Sequence, residues 1–241
     1  MTTMRRSALA LGTLVLLAGP AHAADTALLI GNSNYENKCA VDVTGVPMDV
    51  DAMSGHLMNY GYQIVSTADR SGIEMLSDIE GNVPPAGDDY VVYYDGHGEI
   101  PVNGSLLGID CTRTTAADIV LAVDIASDRT LLILDSEASG ALGDAVNALD
   151  PNFCVITSAT GLDAGTRGVF TPCFAAGLEG AADADNNNMV TVAEAAAYAI
   201  ANCGDGTTTP TWDGGCPDRV LSVGSIAVDA TSWGRVKGDY R

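Results

Sequence analysis

The chain has 241 residues, with 31 Asp or Glu against 11 Lys or Arg, for a formal charge of −20 at pH 7. A hydrophobic content of 47% and a mean hydropathy of +0.17 exclude a disordered acidic chain, and the length suits one domain with a sizeable core. So acidic a surface repels phosphate backbones and anionic headgroups, which excludes nucleic acids and membrane surfaces and leaves cations and basic peptides or proteins as partners.

Residues 1–23 read as an export signal rather than as fold. Arg5 and Arg6 precede the apolar run Ala8–Leu17, and Ala21-His22-Ala23 places small residues around a cleavage point. The run is too short to cross a bilayer. Cleavage near Ala23 removes two cations and no acid, and it leaves His56 and His97 as the remaining histidines. The expected location is therefore the periplasm or the cell exterior, with no membrane attachment after the signal is lost. Residues 24–241 show no repeat and no low-complexity linker, so they read as a single domain.

Along that domain, short apolar runs alternate with helical patterns, the signature of an α/β fold with helices on both faces of a mostly parallel sheet. Strands are predicted at Ala27–Ile30, Tyr62–Ser66, Tyr90–Tyr94, Thr130–Leu134 and Cys154–Thr157, with Arg219–Val223 as a sixth. The first five are continuous apolar runs rather than alternating ones, as strands buried on both faces require. Helices are predicted at Pro47–Tyr60, Ile73–Ile79, Ala116–Ala126, Leu142–Leu149, Thr171–Gly180 and Val192–Asn202.

Six cysteines in an exported chain read as disulfides, and no CxxC spacing points to zinc or redox chemistry. The closest pair, Cys203 and Cys216, is joined by a Gly/Thr/Pro-rich loop and is the expected local bridge. Closing it would contribute about 3 kcal/mol.

In such sheets ligands bind beyond the carboxyl ends of the strands. Two of those ends carry chemistry. VVYYDGHG places His97 between glycines just after a buried strand, and LLILDSEASG places Asp135, Ser136 and Glu137 at the end of the next. These segments, with ALLIGNSNY before them and VITSAT and VFTPCFAAGLEG after them, resemble the caspase-like cysteine peptidases, the clan of caspases, metacaspases and bacterial orthocaspases. The resemblance covers about residues 26–200 and keeps the order and spacing of the blocks. It implies a caspase-like fold with a central sheet of about six strands. It further implies that His97 matches the catalytic histidine and that the amide of Gly98 matches an oxyanion-hole donor. Asp135 matches the acid that selects Arg or Lys side chains. Only residues 141–152 separate the two blocks on either side of the inter-subunit linker position, so an uncleaved single chain is expected.

The departure from the family is at the nucleophile, where Glu137 stands in place of Cys. Peptidase chemistry in this clan needs a thiolate activated by the histidine. A carboxylate is a weak nucleophile towards an amide, and loss of the nucleophile in such a unit costs on the order of 10⁶-fold in kcat. The resemblance with this departure implies an exported pseudopeptidase that keeps a cleft for basic residues and acts as a binding or regulatory module. The competing reading is an active endopeptidase with its nucleophile elsewhere, or a weak hydrolase using His97. Glu137 beside His97 reads as an ion pair holding an empty site together. For Asp135, capping of the following turn stands as the structural alternative.

DADNNNMVTVAE follows the twelve-residue calcium-loop pattern between two predicted helices. Asp183, Asp185 and Asn187 fall at its first, third and fifth positions. Met189 offers its carbonyl, Thr191 falls at the ninth position and Glu194 at the twelfth. Asn188 takes the place of the usual glycine, and Asn is the non-glycine residue best suited to a left-handed backbone. The expectation is a Ca²⁺ site of structural, extracellular type, with no organic cofactor. A third reading of the whole chain is a calcium-stabilised structural protein without cleft function.

Overall fold

The computed structural model describes residues 25–36, 39–99, 104–123, 129–161, 165 and 168–223. The export signal read at residues 1–23 lies outside them. The first half of the fold runs β1 (Thr26–Gly31), α1 (Val46–Tyr60), β2 (Gln63–Ala68), α2 (Gly72–Gly81), β3 (Tyr90–Asp95), β4 (Leu106–Leu107), β5 (Arg113–Thr114) and α3 (Ala116–Ala122). The second half runs β6 (Thr130–Asp135), α4 (Ser139–Leu149), β7 (Cys154–Thr157), α5 (Phe170–Ala176), a π turn over Gly177–Ala181, β8 (Met189–Thr191), α6 (Val192–Asn202), β9 (Thr211–Trp212) and β10 (Val220–Val223).

The five continuous apolar runs form the centre of one sheet, in the order β2-β1-β3-β6-β7-β9. The first five strands are parallel and β9 pairs antiparallel with β7. Successive strand residues point to opposite faces, and both faces are covered at β1, β3, β6 and β7, which are buried throughout; β2, expected to be buried on both faces as well, is instead a partly exposed edge strand, since only β1 flanks it. On one face Ala27, Leu29, Val91, Tyr93, Leu131 and Ile133 pack against Val46, Val50, Met53 and Leu57 of α1, Phe170 and Phe174 of α5, and Ala195, Ala196 and Ala199 of α6. On the other, Leu28, Ile30, Val92, Tyr94, Leu132 and Leu134 meet Met75 and Ile79 of α2, Ile119 of α3, and Leu142 and Val146 of α4. The expected α/β sheet with helices on both faces is what the chain forms.

Two details of the elements differ from the sequence reading. The sixth strand of the main sheet is β9, not Arg219–Val223. Residues Val220–Val223 are extended, but they pair with β8 in a separate antiparallel ribbon. β9 pairs through only two residues after Pro210, too few for any periodicity to mark it. Helix α4 starts at Ser139, three residues earlier than expected, because Ala138 enters it with a left-handed backbone (φ 55°) and no side-chain cap. The helix expected over Thr171–Gly180 does form: its backbone stays helical from α5 through Gly177 into the π turn, and it ends where Gly180 takes φ 120°.

The expected Cys203–Cys216 bridge does not form. Cys203 pairs with Cys173, Cys216 pairs with Cys154, and Cys39 pairs with Cys111. Cys203 caps α6, which packs on α5 and so faces Cys173; Cys154 on β7 meets Cys216 just beyond β9. Packing of elements distant in sequence overrides nearness along the chain.

Candidate active site

Strands β3 and β6 run side by side in register, Tyr90 opposite Thr130 through to Asp95 opposite Asp135. Their last residues therefore sit together at the carboxyl edge of the sheet, and the two following loops leave it as neighbours. The loop after β3 carries His97 and Gly98, and the loop after β6 carries Ser136 and Glu137. The two backbones pass so closely that a Cβ on Gly98 would stand 1.9 Å from the Glu137 carbonyl oxygen. Glycine is required there by contact, independently of its conformational freedom.

The His97 backbone is fixed from three sides. Its N–H donates to the Tyr35 hydroxyl (2.7 Å), and its carbonyl accepts from the Tyr94 hydroxyl (2.8 Å) and from Leu107 N–H (2.9 Å). The Tyr35 ring stands edge-on to the imidazole at 4.8 Å. Nδ1 of His97 lies 3.2 and 3.3 Å from the two Glu137 carboxylate oxygens, and Nε2 lies 2.8 Å from the carbonyl of Val41. A carbonyl only accepts, so Nε2 carries the hydrogen in that bond. The two side chains are only 15% and 21% exposed, so the pair is partly shielded from water. Glu137 Oε2 also accepts from Gly98 N–H at 2.9 Å. One carboxylate thus holds the histidine and a backbone amide together, as charge-assisted hydrogen bonds favour.

Beneath this pair lies a group of acids. Asp135 is 8% exposed and accepts from the Thr171 hydroxyl (2.7 Å) and Thr171 N–H (3.3 Å) at the start of α5. That hydroxyl also shares a hydrogen with Tyr93 at 2.9 Å. Asp135 therefore does take part in fixing a helix start, though of α5 rather than of the adjoining turn. Asp95 is 4% exposed. Asp49, reaching in from α1, is pushed above the ordinary carboxylate range by burial and by the charge of Asp135, against a lowering hydrogen bond with Asp95. Burial and the charges of Asp95, Asp135 and Asp49 also push the Tyr93 phenol up. Three carboxyl groups thus share one neighbourhood, an arrangement that favours a cation.

Asp49, Asp95, Tyr35 and Val41 were not singled out by sequence. Asp95 carried a usable signal, since it precedes His97 by the same two residues by which Asp135 precedes Glu137. Asp49 is one of several acids in a helix start, and the Val41 contact is made by a backbone carbonyl that no side-chain pattern marks. His56 lies half-buried on α1 and takes no part in the site.

The predicted calcium loop lies between the π turn and α6. Carboxylate oxygens of Asp183, Asp185 and Glu194 all fall within 4.8 Å of one another. Asp183 accepts from Asn187 N–H and Asn188 N–H, and Asn188 adopts the left-handed backbone expected at its position (φ 62°). Asn187 accepts from Met189 N–H, which turns the chain into β8. Thr191 is the N-cap of α6, and its hydroxyl and N–H both donate to Glu194. Burial raises the Glu194 carboxyl, but the hydrogen bonds from Thr191 and Ala184 outweigh it and hold the group below its ordinary range. The donor set is all hard oxygen, which fits Ca²⁺ rather than a thiolate- or imidazole-seeking metal. Asn187 and Thr191 are engaged in turn and cap bonds, while the two aspartates and Glu194 are the residues brought together.

Residues 24–210 match the sequence profile described as a caspase domain, more than three-quarters of the chain. Among solved structures, the crystal structure of caspase-1 from Spodoptera frugiperda superposes with a TM-score of 0.61. It is 14% identical, and the match covers 84% of this chain and 90% of that one. No curated protein matches the sequence.

Proposed function

The chain belongs to the caspase-domain peptidase family, and from that premise we propose that it is an exported pseudopeptidase whose cleft binds basic peptides without hydrolysing them. The observation that carries the reading is the double engagement of Glu137. Acyl transfer to a thiol needs a nucleophile beside the histidine and a free N–H donor for the developing oxyanion. Here the Glu137 carboxylate lies against Nδ1 of His97 and accepts the Gly98 N–H, so one side chain takes both places. Its own attack on an amide would form a mixed anhydride from a weak nucleophile. Asp135, with Asp95 and Asp49 near it, supplies negative charge for an Arg or Lys side chain, and the net charge of −20 draws such peptides in at long range. Three disulfides accord with an oxidising compartment, and among the described residues no helix is long and apolar enough to cross a membrane.

Turnover of fluorogenic peptides ending in Arg, Lys or Asp, with residues 24–241 as parent and as Glu137→Cys, tests the proposal. The parent is expected to be silent and the cysteine variant active, preferring Arg or Lys. Calorimetric binding of an Arg peptide to the parent is expected and should be lost in Asp135→Ala. Turnover by the parent would overturn the pseudopeptidase and favour an active peptidase or a weak hydrolase working through His97.

The gathering of Asp183, Asp185 and Glu194 supports a second element of the proposal, a structural Ca²⁺ site in the 183–194 loop. Asp183, Asp185 and Glu194 would hold the ion by their carboxylates, with Asn187, Thr191 and the Met189 carbonyl completing the set. The ion would bridge the π turn to α6 and stiffen that side of the core.

A further inference from the structure

Two of the three disulfides are built into the core. Cys154 and Cys203 are each 1% exposed, and their partners Cys216 and Cys173 pack against the same apolar cluster. The third, Cys39–Cys111, belongs to neither core cluster, and Cys39 is exposed. Its place relative to His97 is informative.

Cys39 begins the segment that runs to Val43. Further along, Tyr35 N–H donates to the Asp42 carboxylate (2.9 Å) and Val43 N–H donates to the Ser33 carbonyl (2.8 Å). Between these ties and the disulfide stands Val41, whose carbonyl receives Nε2–H of His97 at 2.8 Å. The Val41 side chain is 75% exposed, so no apolar burial holds the residue in place. On the other side, Cys111 closes the turn after β4, where Gly108 N–H donates to Thr112 and Cys111 N–H to Gly108. That turn is anchored to the site by Leu107, whose N–H donates to the His97 carbonyl. The covalent bridge therefore joins the segment that orients the imidazole to the strand that fixes the backbone of the same residue.

We propose that the Cys39–Cys111 disulfide is a positioning element for His97, acting through the Val41 carbonyl, and that its exposure makes the orientation of the histidine sensitive to reductant. A dithiol reductant opens it: one thiolate attacks to form a mixed disulfide, the second sulfur closes the reductant's own disulfide, and two electrons and two protons pass to Cys39 and Cys111 as thiols. The segment then keeps the core packing of Val43 and Ala40 and the hydrogen bonds at its far end, but Val41 loses its covalent tie to the turn after β4 and its carbonyl no longer holds Nε2 firmly. The inference concerns the geometry of the histidine and stands whether or not the cleft binds peptides.

Imidazole nitrogen NMR tests it, with His56 as an internal reference on α1. In the parent, the Nε2–H signal of His97 is expected to be protected from exchange. In Cys39→Ser/Cys111→Ser that exchange should accelerate about tenfold or more, while the His56 signals stay in place. Cys173→Ala/Cys203→Ala, which removes a core bridge, should lower the melting temperature and leave the His97 signals unchanged. An unaltered His97 signal in the folded first variant would overturn the proposal, and so would an equal change in the second. Should the first variant fail to fold, brief dithiothreitol treatment of the parent, followed by alkylation and peptide mass mapping, gives the same information. Cys39 and Cys111 are expected to be alkylated first, with loss of the Nε2–H signal at the same rate. Opening of either core bridge first, or an Nε2–H signal that outlasts the Cys39–Cys111 bond, would count against it.

Discussion

Gly98 and Glu137 meet through backbone atoms, which gives the first residue-scale prediction. Gly98→Ala drives a methyl into the Glu137 carbonyl and cannot relax without separating two adjoining strand-end loops. A loss of about 2–3 kcal/mol is expected in urea unfolding, at the upper end for overpacking. Thr171→Val leaves Asp135 without its shortest donor and Tyr93 without its hydroxyl partner, so a cost of about 1–3 kcal/mol is expected from the same measurement. Asp49 gives a pH-dependent prediction. Its carboxyl is raised by burial and by Asp135, so the folded state favours the protonated form. Stability is therefore unpenalised below the ordinary carboxylate range and is lost as pH rises through the raised midpoint. Asp49→Asn should melt higher than the parent at neutral pH, with the difference closing as pH falls below about 4. The same variant should bind basic peptides more weakly, which separates a functional acid from a merely uncomfortable one. At this scale the sequence exposed His97, Gly98, Asp135 and Glu137, because each lies in a patterned strand end. It did not expose Asp49 or Val41, because their roles exist only once α1 and the 39–43 segment are folded over the sheet.

Elements carry the calcium argument. The loop from Asp183 to Glu194 links the π turn to α6, and Glu194 serves both as a candidate ligand and as the N3 residue of a capping box with Thr191. A site of the weak extracellular kind, with Kd of about 10⁻⁴ M, would gain about 1.4 kcal/mol at about 1 mM ion. The melting temperature in millimolar CaCl₂ is thus expected to exceed that in EDTA, and Asp183→Ala should abolish the difference. Glu194→Gln should abolish it too while leaving the EDTA value near that of the parent, because Gln at N3 also closes the capping box with Thr191. The spacing of the candidate ligands and the left-handed Asn188 were readable beforehand, because they are local. The end of the preceding helix was readable too, since Gly180 is a glycine free to take the φ of 120° that stops it.

For the molecule as a whole, charge and covalent links dominate. Association of basic peptides with so acidic a protein should slow as salt rises, because the Debye length contracts to about 10 Å at 0.1 M. Stopped-flow association rates against NaCl would show it, whereas dissociation rates should change little. The disulfides span 72, 62 and 30 residues, so loop-closure entropy assigns each roughly 3.5–4.5 kcal/mol. That is a large share of the stability of a single domain.

The sequence by itself determined the layered α/β architecture, five of the six sheet strands and the two strand ends that carry the site. Continuous apolar runs between helical patterns leave few other ways to bury both faces of a sheet. It also determined the presence of Glu137 within reach of His97, through two motifs on strand ends that the fold makes neighbours. Tertiary structure alone decided which cysteines pair, which segment closes the sheet, and that Glu137 holds the Gly98 amide as well as His97. These depend on contacts between residues tens of positions apart, and a two-residue strand, a backbone carbonyl or a cysteine partner carries no periodic signal along the chain.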